Sequence, residues 1–150
     1  MTRADAMPIV WTVGYAQASL AAVLADLTSV GIELLVDVRA VAASRRAGFS
    51  KTVLRTSLEA AGIGYLHLRG LGTPKPGRDA ARRGRVAEMR AIYAAHLETP
   101  AAMTDWWRLC DLVPERRSAL LCYCASAAGC HRRVITERLE MALGVVVVDL

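Results

Sequence analysis

The sequence predicts a single α/β domain with three layers, in which helices cover both faces of a mostly parallel sheet of about five strands. Its 150 residues are enough for one globular domain spanning residues 1–150. Short apolar runs alternate with segments of helical periodicity, which is typical of parallel strands joined by helical crossovers. The apolar runs are nearly continuous, as expected where helices cover a sheet on both faces.

Five apolar runs predict the strands. They lie at residues 8–13, 33–39, 64–68, 119–124 and 145–150. Between the first two, apolar residues recur at helical spacing over residues 20–30, with Ser19 as the predicted N-cap. Ser50 is expected to cap a second helix, and Thr99 to precede a helix that begins at a proline. The last strand follows a helix that a glycine ends.

Basic charge is concentrated in one segment. The chain carries 19 Lys and Arg residues against 14 Asp and Glu residues, a net charge of +5. Residues 69–90 hold seven basic residues against Asp79 and Glu88, so this segment alone amounts to +5. Its first part, residues 69–84, contains Gly and Pro at intervals and predicts a loop. The loop is a candidate contact for phosphate or nucleic acid, and a solvated, mobile loop is the alternative.

The sequence excludes several classes of protein. A hydrophobic content of 54% excludes a disordered chain. No apolar run approaches the ~20 residues that a membrane-spanning helix needs, and the N-terminal segment lacks the features of a signal peptide. We therefore expect a cytoplasmic protein with no membrane partner and with reduced cysteines. Of the four cysteines, Cys110 lies on an apolar helix face and is expected to pack in the core.

Chemically active residues follow the predicted strands. Because ligands of parallel sheets bind outside the carboxyl ends of the strands, these residues are expected to share one edge. They are Tyr15, Asp37, Arg39, Ser44, Arg45, Arg46, His67, Arg69, Cys122, Cys124, Cys130, His131 and Arg132. We expect an anion site formed by the arginines of this set that flank the strands, namely Arg39, Arg45, Arg69 and Arg132. His67, His131 and Asp37 are the candidate acid–base residues, and Tyr15 is expected to orient the ligand.

Each of these residues also has a purely structural interpretation. Asp37 could pair with Arg39, His67 could be a core histidine with its hydrogen bonds satisfied, and a buried Tyr15 could bond the backbone. Arg132 is harder to explain structurally. A cation at a helix N-terminus opposes the helix dipole unless an anion also binds there.

The segment from Cys122 to Arg132 is the most informative local signal. A strand runs into a loop of small residues, 125–129, and then into a helix, an arrangement that lets backbone N–H groups approach an anion. A helix N-terminus also lowers a thiol pKa, so Cys124 or Cys130 is a candidate nucleophile. A zinc site or a Cys124–Cys130 redox pair is a further alternative. However, the spacing is not the usual zinc knuckle, and on a helix Cys130 and His131 would diverge. The sequence therefore predicts no metal ligand and no cofactor.

Four segments form a set of motifs in a fixed order. They are Thr-Val-Gly-Tyr at 12–15, Leu-Val-Asp-Val-Arg at 35–39 with Ser44, Arg45 and Phe49, Tyr-Leu-His-Leu at 65–68 with Leu71 and Gly72, and Leu121-Cys122 with Cys130-His131-Arg132. Together they resemble the motifs of a known family, the domain-of-unknown-function family 488. The resemblance covers about residues 8–150 and implies a compact α/β domain with a shared polar site and no agreed activity. The family commonly has Glu two residues after the first Cys of the last motif, where this chain has Cys124. A role that depends on that carboxylate is therefore in doubt.

A weaker likeness exists to rhodanese-like sulfurtransferases and cysteine phosphatases. They also combine an Asp-Val-Arg strand with a strand, cysteine, loop and helix that form an anion cradle. Their cradles place Arg about six residues after the Cys, whereas here Arg132 lies eight residues after Cys124. This likeness is an analogy at the level of the fold.

Three functions remain open from the sequence. The first is a phosphate-recognising domain that binds or acts on a nucleotide or nucleic acid. The second is a thiol enzyme that uses Cys124 or Cys130 in sulfur or acyl transfer. The third is a non-catalytic interaction module, which predicts a shallow surface at the strand ends on which Arg39, His67 and Arg132 do not converge. Whether the protein is an enzyme, and its oligomeric state, are left open.

Overall fold

A parallel sheet forms the centre of the computed structural model, which describes residues 7–124 and 126–150. Its strands are β1 (Ile9–Gly14), β2 (Leu34–Asp37), β3 (Gly64–His67), β4 (Ser118–Cys122) and β5 (Val146–Asp149). They are ordered β3-β2-β4-β1-β5, and each neighbouring pair is parallel. The predicted α/β fold and its five strands are confirmed, with ends that differ from the prediction by at most two residues.

Six α-helices cover the two faces of the sheet. They are α1 (Leu20–Ser29), α2 (Lys51–Ala60), α3 (Lys75–Arg82), α4 (Val86–His96), α5 (Pro100–Glu115) and α6 (His131–Leu143). Helices α1 and α2 share one apolar cluster, and α3 to α6 share the other. Alternate β1 residues serve the two clusters, with Val10 on one side and Trp11 and Val13 on the other. The expected three layers follow from this arrangement.

Of the two predicted helix caps, Ser19 is confirmed, and Thr99 also caps the helix that it is predicted to precede. Ala22 N–H donates to Ser19 Oγ at 3.1 Å, and Ala102 N–H donates to Thr99 Oγ1 at 3.4 Å. Ser50 holds the N-cap position of α2 but makes no capping bond. Its hydroxyl instead bonds the backbone of Ser44, at 3.1 Å to the N–H and 3.2 Å to the carbonyl oxygen. The hydroxyl therefore fixes the loop after β2.

The predicted loop at residues 69–84 is wrong. A 3₁₀ turn at Arg69–Leu71 leads into α3. Pro76 lies in the first turn of α3, where a missing backbone N–H costs nothing. Gly77 is buried, and a Cβ there would lie 2.5 Å from Thr73 Cγ2. The Pro and Gly that predicted a loop are therefore compatible with a helix: Pro76 occupies its first turn, and Gly77 allows close packing against Thr73.

The order of the strands creates a crevice between β1 and β4. After β1 the chain crosses towards β2 and β3 with α1 and α2 on one face, and after β4 it crosses towards β5 with α6 on the other face. The segments that leave β1 and β4 therefore separate above neighbouring strands. Such a switch point is where open α/β sheets bind their ligands.

Candidate functional site

A cleft of about 830 Å³ opens at the carboxyl ends of β1, β2 and β4. Its walls are the segment after β1, the loop after β2, helix α3 and the β4–α6 segment. The lining includes described residues from each segment that the sequence predicts to be functional, with one exception. The exception is the end of β3. The volume is in the range of small-molecule sites.

A closed polar network underlies one end of the cleft. The Arg39 guanidinium pairs with Asp37, with Nε at 2.9 Å from Oδ1 and Nη2 at 2.7 Å from Oδ2. Nη1 of Arg39 donates to the Tyr15 hydroxyl at 2.9 Å and to the Phe49 carbonyl oxygen at 2.7 Å. The Tyr65 hydroxyl donates to Asp37 Oδ2 at 2.6 Å. Four of the five N–H groups of Arg39 are therefore committed within the protein.

Burial and charge reinforce this network. Asp37 is fully buried and Arg39 is 5% exposed. Burial alone would lower the pKa of the Arg39 guanidinium, but the hydrogen bond and charge of Asp37 raise that pKa above its ordinary value. Burial raises the pKa of the Tyr65 phenol, and its bond to Asp37 raises that pKa further. Arg39 stays charged and Tyr65 stays a donor at physiological pH.

Aromatic rings continue the network to the mouth of the cleft. The rings of Tyr15 and Phe49 stack with centroids 4.2 Å apart and planes inclined by 10°. Tyr123 meets Tyr15 edge to face at 5.4 Å. Tyr15 is 2% exposed, whereas Tyr123 is 54% exposed. Tyr15 is thus part of the wall, and Tyr123 presents its ring to solvent.

Three cysteine sulfurs meet at the other end of the cleft. The Sγ atoms of Cys122, Cys124 and Cys130 all lie within 4.8 Å of one another. Cys122 and Cys130 are buried, and Cys124 is half-buried. Hydrogen bonds from the thiols of Cys124 and Cys130 lower the pKa of Cys122. The pKa of Cys130 is raised, first by its hydrogen bonds to Cys122 and Cys124 and then by burial. The cluster therefore favours one thiolate that its neighbours share.

His131 faces the same cluster. Its Nδ1 lies 3.6 Å from Cys122 Sγ and 3.6 Å from Cys130 Sγ. Its Nε2 lies 2.7 Å from the Val38 carbonyl oxygen, an acceptor only, so Nε2 carries the proton and Nδ1 keeps its lone pair. Burial lowers the pKa of His131, which favours the neutral ring.

The expected divergence of Cys130 and His131 is not observed. That expectation placed both residues on a helix, where neighbours point ~100° apart. Cys130 is instead the N-cap of α6, with an extended backbone at φ −113° and ψ 149°. Its side chain can therefore face the same way as that of His131, and both approach Cys122.

Gly14 lets the walls of the crevice meet. A Cβ on Gly14 would lie 1.7 Å from the Cys124 carbonyl oxygen and 2.6 Å from Arg132 Nη1. Arg132 is 1% exposed, so its guanidinium lies beneath the cleft rather than in it. Its charge contributes to the lowered pKa of Cys122.

The structure divides the predicted site residues into those that line the cleft and those that do not. Lining residues are Tyr15, Arg39, Ser44, Arg45, Arg46, Cys122, Cys124, Cys130 and His131. Asp37 and Arg132 lie behind this lining. His67 bonds the Arg39 carbonyl oxygen through Nε2, at 2.7 Å, and is not one of the described lining residues. Arg69 is exposed and is not one of them either. Cys110 is buried in the core, as expected.

The basic segment is less uniform than its composition suggests. Lys75 and Arg82 pair with Asp79, Arg85 pairs with Glu88, and Arg90 pairs with Glu137. Within this segment, Arg78 and Arg82 are the arginines that the described cleft lining includes. Sequence reasoning did not single them out. Helical spacing, four residues apart in α3, is the signal that could have done so.

Comparison with known proteins gives one match. The family model described as Domain of unknown function DUF488 matches residues 19–139. The chain belongs to the DUF488 family. No curated protein and no solved structure matches this DUF488 chain. Among the described residues, no helix is both long enough and apolar enough to span a membrane.

Proposed function

We propose that the cleft of this DUF488 protein recognises a phosphate-bearing ligand, either a nucleotide or a segment of nucleic acid. The charge of its lining carries the proposal. Among described residues the lining includes five arginines and no acidic side chain. They are Arg39, Arg45, Arg46, Arg78 and Arg82. An enclosed surface of one sign attracts ligands of the opposite sign, and Arg suits the geometry of phosphate oxygens.

The arginines divide into two groups. Arg39 is held by internal partners, so most of its N–H donors are not free for a ligand. Its charge still contributes positive electrostatic potential to the cleft. Arg45, Arg46 and Arg82 are exposed, and Arg78 is half-buried. Arg46 and Arg78 each donate one bond to a backbone carbonyl, at 2.7 Å to Ala18 and 2.9 Å to Thr73, which positions them without neutralising them. These four arginines are the proposed phosphate contacts.

The ligand is larger than inorganic phosphate in this proposal. The cleft holds about 830 Å³, which exceeds the space a single phosphate needs. The exposed ring of Tyr123 in its lining offers a surface on which a base can stack. One such ring supports one base, so the proposal is for a nucleotide or a local contact, not for sequence-specific reading.

The proposal is one of binding and contains no acid–base step. Asp37 is engaged by Arg39 and Tyr65, and His67 and His131 each bond a backbone carbonyl through Nε2. These internal partners give the three residues a structural role that does not depend on a reaction.

Thermal melting with separate ligands tests the proposal. Phosphate, a mononucleotide, a single-stranded oligonucleotide and a double-stranded one are each added at increasing concentration. At ~100 times the Kd a ligand stabilises by about 2.7 kcal/mol, which raises the Tm by roughly 5–10 °C. No shift with any of the four ligands would overturn the proposal.

Matched arginine variants locate the site. Arg45→Ala and Arg78→Ala should weaken binding and reduce its salt dependence, with the slope of log K against log salt changing by about 0.7–0.9 for each lost contact. Arg108→Ala is the control, because Arg108 is exposed on α5 outside the described lining. Equal losses in all three variants would mean that net charge, not the cleft, binds the ligand.

The rate at which each cysteine is alkylated at neutral pH distinguishes a thiol enzyme from the proposed phosphate-binding protein. Rapid labelling of Cys124 or Cys130 alone, blocked by phosphate, would favour sulfur or acyl transfer over binding. Under the binding proposal, ligand changes the melting temperature without any single thiol being unusually reactive.

A further inference from the structure

We infer that Cys122, Cys124, Cys130 and His131 form a metal site that takes a thiophilic divalent cation, Zn²⁺ above all. The inference goes beyond the proposed phosphate recognition and does not depend on it. It comes from three sulfurs that lie close together at the end of β4 and the start of α6, and from a ring nitrogen close to two of them.

The donor set is the first argument. Three thiols and an imidazole are the ligands of common structural zinc sites, which are four-coordinate and tetrahedral. Softer thiolate ligands select Zn²⁺ or Cu⁺ over Mg²⁺ and Ca²⁺, which prefer oxygen. No carboxylate joins the three sulfurs among the described residues. The chemistry of the cluster therefore points to zinc rather than to a hard cation.

The distances are the second argument. In a tetrahedral site with Zn–S of about 2.3 Å and Zn–N of about 2.05 Å, the edges are about 3.8 Å between sulfurs and about 3.6 Å between sulfur and nitrogen. The Nδ1 atom of His131 lies 3.6 Å from the sulfurs of Cys122 and Cys130. The three sulfurs lie within 4.8 Å of one another, so the edges between sulfurs need to contract by about an ångström or less. The side chain of the half-buried Cys124 would complete the tetrahedron by moving towards His131 Nδ1.

The outer contact of His131 is the third argument. Histidines that bind metal usually donate the opposite ring N–H to a carbonyl or carboxylate, which fixes the tautomer. Nε2 of His131 makes this bond to the Val38 carbonyl oxygen at 2.7 Å. The ring is 7% exposed and its Nδ1 lone pair is directed at the sulfurs. The imidazole is thus preorganised as a ligand.

Local charge is the fourth argument. Three thiolates, a neutral imidazole and Zn²⁺ together carry a charge of −1. The buried Arg132 guanidinium follows directly in the chain and acts on the charge of Cys122. A buried anionic centre needs such a compensating cation.

Alternative uses of the cluster make different predictions. A disulfide between two of the cysteines would lower the mass by two hydrogens, as both thiols are oxidised and lose their protons and electrons to an oxidant. A single nucleophilic thiol would react fast with alkylating agents whether or not zinc is added. A metal site instead protects three thiols together and leaves Cys110 unaffected.

Titration of the full, chelator-treated chain with Co²⁺ tests the inference without any substitution. One equivalent should produce the intense visible bands of tetrahedral Co²⁺ and a near-ultraviolet thiolate charge-transfer band, and Zn²⁺ should abolish both. Absence of the charge-transfer band, a two-hydrogen mass loss in the purified protein, or equal reactivity of all four cysteines with and without Zn²⁺ would each overturn it.

Variants then assign the ligands. Cys124→Ala, the half-buried member, should weaken Zn²⁺ binding by at least about 100-fold, and Cys110→Ala, the matched control outside the cluster, should leave it unchanged. His131→Ala should also weaken binding at least about tenfold. Zinc affinity unchanged in His131→Ala would refute the histidine ligand, and affinity unchanged in Cys124→Ala would refute the site. Because the readout is metal alone, failure here leaves the phosphate proposal standing.

Discussion

The two ends of the cleft are built on opposite plans. At the β2 end, Asp37, Arg39, Tyr15 and Tyr65 satisfy one another, with bond lengths of 2.6–2.9 Å. At the β4–α6 end, three sulfurs and an imidazole nitrogen face one another, and the contacts between them that involve described residues are the weak hydrogen bonds of sulfur. A buried network that is satisfied internally fixes the shape of a site. A group of soft donors that is not satisfied in this way retains the capacity to bind.

The largest loss of stability is expected when the buried ion pair at the β2 end of the cleft is broken. Asp37→Asn keeps the shape of the side chain but leaves the buried Arg39 cation without its counter-ion, which costs about 3–5 kcal/mol of unfolding free energy. Urea denaturation measures it. Asp79→Asn is the control, since its ion pairs with Lys75 and Arg82 are solvent-exposed and contribute little. A loss below about 1 kcal/mol in Asp37→Asn would show that the network is not a scaffold.

The next effect lies between the two ends. Gly14→Ala places a Cβ 1.7 Å from the Cys124 carbonyl oxygen, so the β4–α6 segment must shift. We expect a loss of about 1–3 kcal/mol of unfolding free energy in the same denaturation assay. Gly129→Ala, in the same segment, is the control, because a Cβ there meets nothing within 4 Å. Equal stability of the two variants would contradict the contact.

The five strands and the position of the cleft are features that the sequence predicts from local patterns. Apolar runs predict β1, β2 and β4 because these strands are buried on both faces, so local composition is a sufficient signal. The edge strands β3 and β5 are less buried, but their runs are still apolar enough to be predicted. The strand-end rule also brings Tyr15, Arg39, Cys124 and Cys130 to one cleft. Both predictions depend on periodicity and topology, which are encoded locally.

The orientation of side chains is not encoded in the same way. The ring of His131 is set by the Val38 carbonyl, 93 residues away in the chain. The direction of Cys130 depends on an extended N-cap backbone that a helical wheel does not describe. Arg78 and Arg82 reach the cleft only because residues with Gly and Pro form α3. Tertiary contacts decide each of these cases.

A smaller effect tests the hydrogen bond that completes the network. Tyr65→Phe removes the donor to Asp37 Oδ2 while Arg39 still binds that oxygen. We expect a loss of about 1.5 kcal/mol, the lower end of the range for a hydrogen bond to a charged group, because Tyr65 is half-buried. Tyr123→Phe is the control because its ring is 54% exposed, and it should change stability by less than about 0.5 kcal/mol. Equal stability of the two Phe variants in urea would place Tyr65 outside the network.

The smallest effect tests a pair away from both ends. Arg90 binds Glu137 with two bonds, at 2.9 and 3.0 Å, and the bond to Arg90 lowers the pKa of the Glu137 carboxyl. A carboxyl whose pKa is lower in the folded than in the unfolded state stabilises the fold at pH values above its unfolded-state pKa. That stability is lost as the pH falls through the folded-state pKa. Because the pair is exposed, Glu137→Gln should cost only about 0.5 kcal/mol at pH 7.

Urea denaturation at several pH values checks this pair. The difference between wild type and Glu137→Gln should shrink towards zero as the pH falls below about 4. Glu140→Gln, on the same helix and exposed, is the control and should show no such pH-dependent difference. A difference that is constant down to acid pH would mean that the substitution acts through packing, not charge.

The walls of the crevice are joined by main-chain bonds that continue beyond the strands. Tyr15 N–H donates to the Cys122 carbonyl at 3.3 Å, and Ala16 N–H donates to the Tyr123 carbonyl at 2.8 Å. Bonds of this kind do not depend on which side chains the residues carry. The side chains at positions 16 and 123 can therefore be exchanged while the backbone keeps its path. Because both side chains line the cleft, substitutions there change the surface of the cleft and leave the architecture in place.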